Sequence, residues 1–163
     1  VSGLSFVEES SFGNLLSTIT RGLFQSVPGF MPRKIVGSRL TDGGLDGDRY
    51  ADQANRRGLD YQVTLIESEN IAAFSEMVDV PFTPDMPRRN IVTQGVRLNE
   101  LCGRSFKVGD ATLEGLELCE PCSLFAKRTH RDVLKYFLRK GGLRARIVVG
   151  GQIHIGDPIV VDA

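Results

Sequence analysis

The sequence has no net charge and no long apolar run, and each of these absences excludes a class of protein. Its 163 residues carry twenty basic and twenty acidic side chains, so the formal net charge is zero. A neutral chain does not bind nucleic acid or anionic membranes through its overall charge, and we expect neither as a partner. Apolar runs stay far below the roughly 20 residues of a membrane helix, and Glu8 and Glu9 interrupt the N-terminal stretch that most resembles a signal peptide. We expect a soluble, cytoplasmic protein.

Cysteine and histidine are also scarce, with three and two residues respectively. An odd cysteine count does not make a disulfide framework, so we predict reduced thiols. A zinc site would need Cys102, Cys119 and Cys122 together with His130 or His154, and no second CxxC or HxxxH supports one. A single domain of this length folds without a metal, and we expect no structural zinc.

Short strand patterns dominate the sequence. Single strands are predicted at Gln62 to Ile66, Ile91 to Thr93 and Ile159 to Val161. One hairpin is predicted from Ser105 to Val108 and Ala111 to Leu118, because Gly109-Asp110 supplies the turn. A second hairpin is predicted from Arg144 to Val149 and Gln152 to Ile155, around Gly150-Gly151.

Two helices are predicted between these strands. The first begins with Ser68 as its cap and ends near Val78. The second begins with Thr129 as its cap and stops at Gly141-Gly142. On this second helix Arg131, Lys135 and Arg139 have the spacing of a single face.

Charge is segregated along the chain although it sums to zero. Between Lys127 and Arg146 there are eight basic residues and one acid, Asp132, which gives this stretch a net charge of +7. Such a zone suits a small anionic ligand or an acidic partner surface, and a solvated helix face is the other interpretation.

The sequence Cys119-Glu120-Pro121-Cys122 is the densest chemical signal. A redox pair of the thioredoxin type and half of a zinc site are both weakly supported, because the surrounding strands are antiparallel and further ligands are few. The third interpretation makes one thiol a nucleophile or a ligand of a soft metal. Cys122 is the candidate, since it lies just before the basic stretch and cations favour the thiolate.

A series of short motifs follows in a fixed order along the chain. They are Gly44-Leu45-Asp46-Gly47-Asp48-Arg49-Tyr50, Val63-Thr64-Leu65-Ile66, Arg88-Arg89-Asn90-Ile91-Val92, Gly95, Leu98-Asn99-Glu100-Leu101, Phe106-Lys107-Val108-Gly109-Asp110-Ala111, Glu120-Pro121-Cys122 and Gly150-Gly151-Gln152-Ile153-His154-Ile155-Gly156-Asp157. In this order they resemble the MOSC domain, named after the C-terminal domain of molybdenum cofactor sulfurase. The resemblance covers residues 40 to 163, and residues 1 to 40 form an N-terminal segment that we expect to pack on the same domain.

The resemblance implies a mainly β (α+β) fold, a distorted closed β-barrel similar to the β-barrel domain of pyruvate kinase, with a few helices. It also implies that Cys122 is the functional thiol, with Arg89 and Asn90 beside it and Asp48 and Arg49 in the same wall. The exposed cations of the basic stretch, Arg131 and Lys135 among them, would attract an anionic cofactor at longer range.

Two functions follow from the resemblance, and they make the chain either a molybdenum-dependent oxidoreductase or a sulfur transferase. In the first, Cys122 ligates the molybdenum of a pterin cofactor that reduces N-hydroxylated small molecules with electrons from a partner reductase. In the second, Cys122 carries a persulfide that a pyridoxal-phosphate cysteine desulfurase supplies. Both functions require a partner in trans.

Overall fold

The computed structural model describes residues 37–46, 48 and 62–161. Most of the predicted N-terminal segment lies outside these residues, and so does Arg49. The strands are β1 (Gly37–Thr41), β2 (Gly44–Leu45), β3 (Val63–Glu67), β4 (Ile91–Thr93), β5 (Ser105–Val108), β6 (Ala111–Leu118), β7 (Leu143–Val149), β8 (Gly151–His154) and β9 (Ile159–Val161). The helices are α1 (Ser68–Val78), a 3-10 helix (Leu98–Leu101), α2 (Ser123–Arg128) and α3 (Val133–Tyr136).

Two sheets organise the described residues. One has six strands in the order β4-β3-β7-β6-β5-β9, and the other has three strands in the order β2-β1-β8. The pairs are antiparallel apart from β3 and β4, which run parallel. The larger sheet curls into a half-barrel, and the predicted mainly β, barrel-like fold with few helices is confirmed.

The hairpin of β5 and β6 is confirmed with its predicted ends. Val108 pairs with Ala111 and Phe106 with Leu113, and these four side chains are buried. Gly109 has a φ of +54°, the left-handed conformation that favours glycine in a tight turn. Because side chains alternate along a strand, the buried face of this hairpin contributes directly to the core.

The second predicted hairpin is wrong. β7 pairs with β3 and β6, whereas β8 pairs with β1 in the other sheet. The chain changes sheets at Gly150-Gly151, where a Cβ on Gly150 would lie 2.6 Å from the carbonyl oxygen of Leu40. The glycines therefore permit a close crossing of two backbones, although the sequence pattern predicts a hairpin turn at these two residues.

The helix α1 occupies the predicted range, and its buried face carries Ile71 and Phe74. Glu67, rather than Ser68, takes the cap position, and Met77 is exposed. Phe74 lies at the centre of an aromatic cluster with Phe82 and Phe137, at ring distances of 4.7 and 5.1 Å. This cluster fixes α1 and the segment around Phe137 on one face of the larger sheet.

The predicted basic helix, from Thr129 to Gly141-Gly142, is wrong in its extent, because only Val133–Tyr136 of that range forms a helix, α3. Thr129 does not begin a helix; it ends α2, and its hydroxyl donates to the carbonyl oxygen of Phe125 at 2.8 Å. Beyond α3, Arg139 has a φ of +59°, which a helix interior does not allow. Arg131 and Arg139 thus lie outside α3, and the three cations do not share one helix face. None of the described helices is long and apolar enough to span a membrane.

Candidate functional site

The site is built around the loop that joins β6 to α2. Cys119 is buried in this loop at 2% exposure, whereas Cys122 is exposed and immediately precedes α2 in an extended conformation. Cys102 is exposed as well, and its thiol donates to the carbonyl oxygen of Leu116 at 3.2 Å. The motif therefore separates an inner thiol from an outer one.

The loop is held against the segment that leads into β7. The backbone N–H of Cys119 donates to the carbonyl oxygen of Gly142 at 2.8 Å, and the carboxylate of Glu120 accepts from the N–H of Arg139 at 2.9 Å. A Cβ on Gly141 would lie 2.0 Å from the carbonyl oxygen of Cys119. The glycine pair predicted as a helix stop therefore also provides the close approach that positions the cysteine loop.

Arg89 connects these two segments through hydrogen bonds of its side chain. Its Nε donates to the carbonyl oxygen of Gly141 at 2.9 Å, and its Nη2 donates to that of Cys119 at 3.5 Å. Burial lowers the pKa of the Arg89 guanidinium, and the nearby Cys119 and Cys122 sulfurs oppose that shift. One buried cation therefore lies within electrostatic range of both thiols of the motif.

Cys119 has the environment of a protonated, structural thiol. Burial raises the pKa of Cys119, although the positive charges of Arg89 and Arg144 act in the opposite direction. Because nucleophilic and metal-ligating cysteines need the thiolate and access from outside, Cys122 is the candidate for chemistry and Cys119 for anchoring the loop.

We predict that alkylation distinguishes the three thiols. Cys122 and Cys102 are exposed and should react with iodoacetamide at least about tenfold faster than Cys119, whose thiol is buried and whose pKa is raised. Peptide mass mapping over a time course of labelling in the native protein measures the three rates. Labelling of Cys119 as fast as Cys122 would contradict this division of roles.

Asn90 and Asp48 form a second, adjoining part of the predicted site. The Asn90 Oδ1 accepts from the N–H and the hydroxyl of Thr64, both at 2.9 Å, and its Nδ2 donates to the Asp48 carboxylate. Asp48 is buried. The structure thus brings Asn90 and Asp48 together, and the side-chain oxygen of Asn90 joins the start of β4 to β3.

Arg131 and Lys135 occupy a different position. Both side chains are exposed, and the Arg131 Nε lies 3.8 Å from the Asp132 carboxylate. They belong to the surface around α2 and α3, rather than to the partly buried group of Arg89, Asn90 and Asp48.

Sequence reasoning missed the supporting residues around Arg139. The Asn99 side chain donates to the carbonyl oxygen of Arg139 at 2.9 Å, which links the 3-10 helix to the site. Glu67 in turn accepts from the N–H of Leu98 at 2.7 Å, and its partial burial raises the pKa of its carboxyl group. The sequence pattern Leu98-Asn99-Glu100-Leu101 was visible as a motif, but only the fold shows that it supports the cysteine loop.

No three His, Cys, Asp or Glu side chains converge as a metal cluster within residues 37–46, 48 and 62–161. The Cys102, Cys119, Cys122 and His130 set does not form a site there.

The described residues thus form a barrel-like fold in which an exposed cysteine lies within electrostatic range of Arg89. A family model described as the MOSC domain matches residues 52–160. The chain belongs to the MOSC domain family, a family generally linked to binding of the molybdenum cofactor. A comparison with curated protein sequences returns no match.

Solved structures agree with this fold. YiiM from Geobacillus stearothermophilus is 25% identical, with a TM-score of 0.60 over 66% of this chain and 57% of that one. YiiM from Escherichia coli is 18% identical, with a TM-score of 0.62 over 83% and 66%. The YUAD protein from Bacillus subtilis is 15% identical, with a TM-score of 0.64 over 97% and 92%. The chain thus spans less than three fifths of the Geobacillus protein.

Proposed function

We propose that this protein binds a molybdenum-pterin cofactor through Cys122 and reduces N-hydroxylated small molecules with electrons from a partner reductase. The observation that carries the proposal is the exposed Cys122 thiol, held at the start of α2 within electrostatic range of the buried Arg89 guanidinium. A thiolate is a soft ligand of the kind that such metals accept.

The donor set fits this cofactor. The molybdenum-pterin group carries its own sulfur ligands and supplies the redox chemistry when bound, so the protein needs to add only one accessible thiolate. Cys122 meets that requirement, whereas Cys119 is buried and anchors the loop. A site built from several converging protein ligands is not required.

The neighbouring residues have separable tasks under this proposal. Arg89 fixes the carbonyl groups of Gly141 and Cys119 and would supply a positive charge close to an anionic cofactor on Cys122. Asn90 and Asp48 form a hydrogen-bonded pair that would be one wall of the pterin site. Arg131 and Lys135 act at longer range through charge alone.

A sulfur-carrier function is the second candidate, and the accessibility of Cys122 favours it to the same degree. A persulfide on this cysteine would be open to a desulfurase that delivers sulfur and to an acceptor that removes it. The two functions differ in what the isolated protein holds: a metal in one and a labile sulfur atom in the other.

Elemental and mass analysis of one set of variants separates these functions. We expect protein from a cofactor-producing host to hold near-stoichiometric molybdenum, and Cys122→Ser to reduce the content by at least about tenfold because the metal loses its protein ligand. The matched control is Cys102→Ser, another exposed cysteine, which should keep its molybdenum. A metal-free protein with a reductant-sensitive mass increase of one sulfur on Cys122 would instead establish the carrier. Equal molybdenum in both variants would overturn the assignment of Cys122.

A further inference from the structure

The exposed thiol lies at one end of a strongly basic surface. We define this basic face as residues 122–140, which contain six exposed cations and one exposed acid, Asp132, and so carry a net charge of +5. The cations are Lys127, Arg128, Arg131, Lys135, Arg139 and Lys140. Because the whole chain is neutral, the rest of the chain carries the compensating negative charge.

Several cations of this face differ in their ion pairing from the other two cations of the basic stretch. Arg144 forms an ion pair with Glu117 at 3.2 Å, and Arg146 forms one with Glu114. Lys127, Arg128 and Lys135 form no ion pair with any residue in the described part of the chain. The fold therefore neutralises the cations of β7, whereas Lys127, Arg128 and Lys135 have no ion-pair partner among the described residues.

Apolar side chains are exposed on the same face. Leu124, Leu134 and Leu138 are 52%, 44% and 61% exposed, whereas Phe125 and Phe137 of the same segment pack into the interior. Exposed leucines among unneutralised cations match the composition of protein-protein contact surfaces, which combine apolar groups with a charged rim. The inward packing of the aromatic rings argues against a surface for stacking nucleic-acid bases.

We propose that the basic face is the docking surface for an acidic protein that delivers electrons or sulfur to Cys122. The inference rests on the proposed function, since both versions of that function need a partner that reaches this thiol. Charge complementarity selects an acidic surface and would steer its approach, while the leucines would be covered in the complex. A membrane is the poorer match because α2 and α3 are short, with six and four residues.

Binding of a defined acidic probe tests the docking surface. The probe is a fluorescent peptide of about twenty residues with alternating glutamate and serine and a central photoreactive benzophenone; its reference has glutamine in place of glutamate. We expect the acidic peptide to bind more tightly than the reference and to lose affinity as salt is raised. In the double variant Lys127→Gln/Arg128→Gln its Kd should rise about three- to tenfold, the loss of two exposed charge contacts. Photo-crosslinks should fall within residues 122–140.

The control variant removes two exposed cations outside the basic face, Arg39→Gln/Lys107→Gln, and should bind the acidic peptide like the parent. Equal binding of both peptides, crosslinks elsewhere, or equal losses in both double variants would overturn the proposal. So would tighter, Lys127-dependent binding to phosphatidylserine vesicles, or a homodimer that the same substitutions abolish. Molybdenum content of parent, Cys122→Ser and Cys102→Ser protein tests the proposed function separately, because that test depends on the thiol and not on the substituted cations.

Discussion

Replacing Gly142 by alanine should lower the free energy of unfolding by about 3 kcal/mol or more, a loss in the upper range for single substitutions. Gly142 has a φ of +106°, and a Cβ there would lie 1.9 Å from the carbonyl oxygen of Leu65. That oxygen belongs to β3, which is paired on both sides, and cannot move without disturbing the pairing of β3 with β7. Chemical denaturation of parent and Gly142→Ala, followed by circular dichroism, measures the difference.

Gly103→Ala is the matched control for this prediction. Gly103 also has a positive φ, +75°, but no atom lies within 4 Å of the position of its Cβ. Alanine there should cost only the backbone preference, about 1 kcal/mol. If both variants lose the same stability, the contact with Leu65 does not constrain the fold and our account of the glycine pair is wrong.

The same contact connects stability to the site. The carbonyl oxygen of Gly142 accepts from the N–H of Cys119, so a displaced Gly142 moves the cysteine loop as well. We therefore expect Cys119 to become more reactive toward iodoacetamide in Gly142→Ala, whereas Gly103→Ala should leave its labelling rate unchanged.

The elements that the sequence predicted correctly are those whose determinants are local. The hairpin of β5 and β6 has its turn residues, alternating side chains and strand pairing within fourteen consecutive residues. The helix α1 likewise has its apolar spacing and its end signals within one segment. In both cases nearby residues alone establish the conformation, so the predicted ends agree with the structure within a residue or two.

The elements that the sequence predicted wrongly are those whose structure the local pattern does not determine. Gly150-Gly151 has the local signature of a turn, but β7 and β8 join different sheets because their partners lie far away in sequence. The pattern around Arg131 and Lys135 has helical spacing, yet Thr129 ends the preceding helix α2 and Arg139 has a positive φ, so that only α3 between them is helical. Hydrophobic periodicity indicates which residues are buried. It does not indicate which strands pair with each other or where the backbone turns.

For the candidate site, the sequence identified chemical residues better than supporting ones. The resemblance pointed to Cys122, Arg89 and Asn90, which are side chains with evident chemistry. Glu120 supports the site because its carboxylate accepts a backbone N–H. Gly141 supports it because the residue has no Cβ. Such roles arise only when two distant segments meet, and no single segment shows them.

Arg89→Lys should destabilise the protein although it keeps the charge. The planar guanidinium reaches the carbonyl oxygens of both Gly141 and Cys119, and a lysine ammonium at the end of a flexible chain cannot reproduce that fork. We expect a loss of about 1 to 3 kcal/mol in the free energy of unfolding, the range for hydrogen bonds made by a charged group. Arg97→Lys is the control: its pair with Glu100 at 3.4 Å is exposed, and the change should cost under about 0.5 kcal/mol.

The same variant tests how an anionic cofactor is held. If Arg89 holds the cysteine loop in the position that binds the cofactor, molybdenum retention in Arg89→Lys should fall at every salt concentration, because the lost hydrogen bonds of the guanidinium do not depend on salt. Lys135→Gln should cause a smaller loss that disappears at high salt, since that side chain is exposed and acts only at a distance. Molybdenum measured after dialysis of each folded variant at low and high salt decides between the two behaviours. Full retention in Arg89→Lys with a salt-independent loss in Lys135→Gln would move the cofactor from the Arg89 side of Cys122 to the basic face.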